Sequence, residues 1–108
     1  MADIRYWIAL SMLSEVGPVS ARKLLSAFGT PEKIFDARLG DLLEIEGIGI
    51  NRANSIKHFS AWQDAEKQAK LIEQKGITAV SFESPSYPEM LREIEDAPLI
   101  LYMKGNII

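Results

Sequence analysis

The sequence predicts a mainly α fold: a compact bundle of five or six short helices containing two related helix-turn-helix units, followed by a short α/β extension with two strands. Three observations predict it. Apolar residues recur at three-to-four spacing from Ile4 to Ile72, broken at intervals by glycine, proline and N-cap residues. A twelve-residue pattern near the start recurs 32 residues later. From Ile77 onward the helical period gives way to two β-prone apolar runs, "ITAVSF" and "LILYM".

Ile4, Trp7, Ile8 and Met12 share one face of a first helix over about residues 3–14. After the turn at Val16-Gly17-Pro18, Ser20 is placed to cap a second helix, with Ala21, Leu24, Leu25 and Phe28 facing inward and Gly29 as its stop. Thr30 then reads as an N-cap and Pro31 as the first residue of a third helix. "LGDLLEI" gives a short helix running into a bend, and Asn51 is the expected cap of the helix beyond it. Ser60-Ala-Trp-Gln63 has the capping-box pattern, opening a longer helix with Trp62, Ala65, Ala69 and Ile72 on one face and Gly76 at its end. Trp7 and Trp62, both on apolar faces, read as core.

Residues 1–76 therefore form a helical domain. In residues 77–108, "EMLREI" is a helical turn between loops, and the two flanking apolar runs are strands. Two such strands alone would be marginal. The segment reads as the start of a truncated α/β domain, and the chain as a fragment of a longer protein.

At 108 residues and 47% apolar the chain can bury one small core. Twelve basic against fifteen acidic residues, a net charge of -3, exclude a protein that coats nucleic acid by charge alone. The acidic excess lies after residue 60, since residues 1–60 hold seven acids and seven bases. No cysteine and one histidine leave no thiolate metal site and no basis for a cofactor or metal centre. Asp3, Arg5 and Glu15 interrupt the apolar start, which is neither a signal peptide nor a membrane span, and the lack of cysteine is compatible with a reducing cytoplasm.

The repeat lays "LSEVGPVSARKL" (13–24) over "IEGIGINRANSI" (45–56), matching Gly17 to Gly49, Ala21 to Ala53, and Leu13, Val16 and Leu24 to Ile45, Ile48 and Ile56. The shared residues are informative because glycine frees the backbone and alanine lets two helices approach. The second copy resembles the helix-hairpin-helix motif, apolar-Gly-apolar-Gly followed four residues later by Ala, through Gly47, Ile48, Gly49 and Ala53. In that motif class, backbone N–H groups of the hairpin and the next helix start hold a DNA phosphate without reading sequence, as the positive end of a helix dipole allows. The resemblance implies phosphate contact at Gly47, Ile48, Gly49, Asn51 and Arg52, with Lys57 adding charge. The first copy carries Glu15 where the first glycine belongs, so Gly17, Ser20, Arg22 and Lys23 form the weaker candidate. The bend is equally readable as a corner between packed helices, since Glu44 and Glu46 precede it.

Three stretches together resemble the DNA-processing protein A family (DprA, also called Smf): "VGPVSARKLLSAFGTPEKIFDA", "IEGIGINRANSI" and "YPEMLREIEDAPLILYMKGN". In the last, Tyr87-Pro88, Leu91, Ile94, Asp96, Pro98, Leu101, Tyr102 and Gly105 fit the lead-in to that family's Rossmann-like domain. The resemblance implies a cytoplasmic, bacterial, non-enzymatic protein that binds single-stranded DNA, with duplex bound weakly, and helps load the recombinase RecA in natural transformation and recombination. It also implies a homodimer formed through a Rossmann-like domain that this sequence does not contain. Two rivals stand beside it: a SAM-like protein-interaction module docking a partner or its own Rossmann-like domain, and the hairpin domain of a DNA repair enzyme. The second would need a lysine at the hairpin facing an acid such as Asp64 across a cleft.

Overall fold

The computed structural model describes residues 4–104, in the order α1 (Ile4–Met12), α2 (Pro18–Phe28), α3 (Pro31–Asp36), α4 (Leu39–Leu43), α5 (Ile50–Lys57), α6 (Trp62–Gln74), β1 (Ile77–Ser81), α7 (Glu89–Arg92) and β2 (Ile100–Lys104). Asp3, where the first helix was expected to begin, and Gly105, part of the family resemblance, lie outside the described residues. The mainly helical architecture with two strands matches the expectation, and the strands pair antiparallel with Ile77 opposite Lys104 and Ser81 opposite Ile100.

The core follows from the apolar stripes. Trp7, Leu10, Leu24, Ile34, Leu42 and Ile56, from five helices, are fully buried. Each such side chain contributes about 1.5–3 kcal/mol of transfer free energy. Leu99 and Ile100 enter the same cluster, so the strand pair packs on the helices, chiefly on α6 and α1. Trp62 departs from the sequence reading: the residue is 37% exposed and packs in an aromatic group rather than in the core.

Local punctuation fits in part. Thr30 accepts the Lys33 N–H at 3.3 Å ahead of Pro31, and Gly29 closes α2 at φ 93° with its N–H on the Leu25 carbonyl. Three expected caps are displaced. Gly17, not Ser20, is the N-cap of α2, because Pro18 takes the first helical position and starts the helix early. Gly49, not Asn51, is the N-cap of α5, for it is the glycine that is extended where the chain enters the helix. Helix α6 begins at Trp62 after Ala61 with no side-chain cap bond, so the Ser60 capping box does not form.

Candidate nucleic-acid interface

The two hairpins predicted from the repeat enter their second helices through the same backbone. Gly17 has φ −82° and ψ −179°, Gly49 has φ −81° and ψ 179°, and each carbonyl accepts the first intrahelical N–H, from Ala21 at 2.9 Å and Ala53 at 3.0 Å. Both alanines are fully buried, which is what close helix approach requires. Val16 and Ile48 plug the core beneath the bends, bonded back to the Leu13 and Ile45 carbonyls at 3.2 and 3.0 Å.

The two bends differ at one position. Gly47 has φ 88°, a left-handed conformation that costs other residues about 1–2 kcal/mol, whereas Glu15 in the equivalent place of the first bend is not in that region. The second bend is therefore glycine-dependent and the first is not. At the start of α5, the N–H groups of Ile50, Asn51 and Arg52 precede the first intrahelical bond, and no side chain caps Gly49. Gly49, Ile50, Asn51 and Arg52 are exposed. In the first hairpin Pro18 removes one donor from the corresponding set.

The basic residues separate into two groups. Lys57 points its ammonium at the end of α3, donating to the carbonyls of Ala37 at 2.7 Å and Phe35 at 3.3 Å. It sits at the far end of α5 from the bend and serves as a C-terminal cap. Arg22 donates to the carbonyls of Ile94 at 2.7 Å, Arg92 at 3.0 Å and Glu95 at 3.1 Å, and stacks over Phe82. Neither is placed to meet a ligand at Gly47. Lys23 is: its Nζ lies 3.0 Å from where a Cβ on Gly47 would be. A cation at the second bend thus comes from the second helix of the first hairpin, and Arg52 is exposed in the first turn of α5. Exposed Glu44 and Glu46 flank the same bend and reduce the local positive field.

A third bend is one that the repeat did not disclose. Ile94 bonds back to Leu91 at 3.1 Å and Ala97 to Ile94 at 3.2 Å, the pattern of Ile45 to Leu42 and Ile48 to Ile45. The signal is present as "LLEIE" at 42–46 against "LREIE" at 91–95. This bend leads into β2 rather than a helix, so it presents no helix N-terminus, and its carbonyls are the ones Arg22 binds.

Among the described residues no group of three His, Cys, Asp or Glu could hold a metal ion, and no helix is long and apolar enough to cross a membrane. Residues 8–61 match the family described as SAM-like helix-hairpin-helix tandem, which spans both hairpins. The chain is 30% identical to Protein Smf of Synechocystis sp. over 94% of its own length and 26% of that protein's, so the DprA/Smf resemblance extends beyond the hairpins. It is 32% identical to a DNA ligase of Petrotoga mobilis and 33% identical to a DNA ligase of Chlamydia trachomatis, over 60% and 64% of this chain and 10% of each ligase. The chain thus spans about a quarter of the Smf relative and a tenth of the ligases. No solved structure matches it.

Proposed function

Because the chain belongs to the SAM-like helix-hairpin-helix tandem family, we propose that it is an accessory, sequence-independent DNA-binding domain of a DNA-processing protein A homologue. The observation that carries this reading is the second bend, where Gly47 at φ 88° has the Lys23 ammonium beside it and leads into the exposed, uncapped start of α5. A phosphate there would accept from backbone N–H groups at the positive end of the helix and be neutralised by Lys23 and Arg52. Two or so such cations, offset by Glu44 and Glu46, support weak, salt-sensitive contact that positions DNA rather than gripping it.

The wider role rests on the Smf likeness and goes further. The domain would act within a non-enzymatic, cytoplasmic protein that binds single-stranded DNA, dimerises through a Rossmann-like domain for which residues 77–108 are the lead-in, and helps load RecA onto the strand. A second reading, docking of a partner protein without DNA contact, is favoured by one observation: Ile50 and Leu43 beside the bend are apolar and exposed. Filter binding of the domain to short single-stranded and duplex oligonucleotides over a salt series separates the two. Affinity that falls with salt supports phosphate contact, and its absence at low salt supports the docking reading.

A further inference from the structure

On the face formed by α1, α3 and the start of α6, Tyr6, Phe35 and Trp62 line a shallow cleft of about 350 Å³ together with Glu32, Lys33 and Asp36. The rings meet edge-on or tilted: Trp62 lies 5.3 Å from Tyr6 at 63° and 4.9 Å from Phe35 at 68°, and Phe59 backs it at 4.9 Å and 89°. Trp62 is more than a third exposed, and Tyr6 and Phe35 are half-buried beside it. Glu32 and Asp36 are exposed on the rim, and neither carboxylate has a hydrogen-bond or ion-pair partner among the described residues. Lys33 shares the rim but makes no ion pair with them, and the cation–π contacts of the described residues lie elsewhere, at Phe82 and Tyr87.

Aromatic rings with unpaired carboxylates beside them are the chemistry that recognises a cation: the quadrupole of each ring face and the carboxylate charge attract the same ligand. The same cleft repels a phosphate chain, so its aromatics do not serve as a base-stacking platform. We propose that this face is a docking site for a protein partner that lays a lysine or arginine side chain in the cleft lined by Trp62, Tyr6 and Phe35, with Glu32 and Asp36 holding its charge. The choice of a protein partner follows from charge complementarity: the rim carries two free carboxylates against one ammonium. The site uses none of the hairpin residues, so it stands or falls independently of the DNA reading.

The test is an NMR titration of the labelled protein with tetramethylammonium, with the peptide acetyl-Gly-Arg-Gly-amide, and with neopentyl alcohol as the neutral isostere of the first. The Trp62 indole N–H reports on the cleft, and the buried Trp7 indole is the internal control. Saturable Trp62 shifts are expected with both cations and not with the alcohol. The double variant Glu32→Gln, Asp36→Asn should weaken peptide binding about fivefold, and Lys33→Gln should strengthen it about twofold, as expected for exposed charges. The gain on Lys33→Gln cannot arise from a damaged fold. Equal shifts with the alcohol, shifts that ignore the charge substitutions, or shifts absent from Trp62 would each overturn the proposal.

Discussion

The ammonium of Lys23 stands 3.0 Å from the position a Cβ would take on Gly47, so a helix of one hairpin supplies the cation that faces the bend of the other. The first hairpin, poor as a phosphate cradle because of Pro18 and Glu15, contributes to the second through this side chain. Exchanging Lys23 or Arg52 for Gln should each lower the salt dependence of single-strand binding by about 0.7 in the log–log slope, and of duplex binding by about 0.9. Lys57→Gln should leave that slope unchanged while lowering the melting temperature, since its ammonium caps α3. Affinities measured over a salt series, alongside thermal melts, check both.

Gly47→Ala brings two costs together. The left-handed backbone at φ 88° resists any Cβ, and the added methyl meets Lys23, whose flexible end can move away. Backbone strain should dominate and destabilise the domain by about 1–2 kcal/mol. Gly17→Ala and Gly49→Ala meet nothing within 4 Å at negative φ, so each should cost only about 0.5 kcal/mol as a poorer N-cap. Urea denaturation of the three variants distinguishes these sites.

Arg22→Met keeps much of the stem but removes the donors that satisfy the Arg92, Ile94 and Glu95 carbonyls. These bonds join α2 to the segment around α7, 70 or more positions later in the chain. A loss of about 2 kcal/mol is expected for charged hydrogen bonds of this kind. Amide exchange should rise most in residues 82–98, which Arg22 holds against the helices, while the slope of DNA binding against salt stays the same.

Tyr87 is fully buried and donates its hydroxyl to the Pro98 carbonyl at 2.7 Å. Burial raises its pKa above the ordinary 10.0, outweighing the opposite pull of Arg22 and Arg92. The folded state therefore holds the phenol proton more tightly than the unfolded chain. Its contribution is whole below pH 10 and is lost as pH rises past 10 through the folded pKa. Tyr87→Phe should lower stability at neutral pH by about 1 kcal/mol through the lost bond, and should flatten part of the alkaline fall, as melts across pH 8–11 would reveal.

The helical order, the strand pair and the two-hairpin repeat were legible because each depends on local signals: apolar period, glycine stops and the shared Gly/Ala spacing. Cap positions were less so. Ser20, Asn51 and Ser60 are good cap residues by type, but Pro18 and the extended Gly17 and Gly49 set where two of the helices begin, and backbone geometry overrode side-chain preference. The hairpin residues Gly47, Gly49 and Arg52 were readable from the motif, whereas the places of the other cations were not. Only tertiary packing decides that Lys23 reaches the second bend, that Arg22 turns to the third, and that Lys57 caps α3.

An NMR titration of the domain with short single-stranded and duplex oligonucleotides, at low and physiological salt, tests the central claim most directly. Amide shifts centred on Gly47 to Arg52 that fade as salt rises, and that shrink in Lys23→Gln, are the result expected of a phosphate cradle. An intact fold with no shifts at those residues at low salt would contradict it and leave the bend as a corner between packed helices.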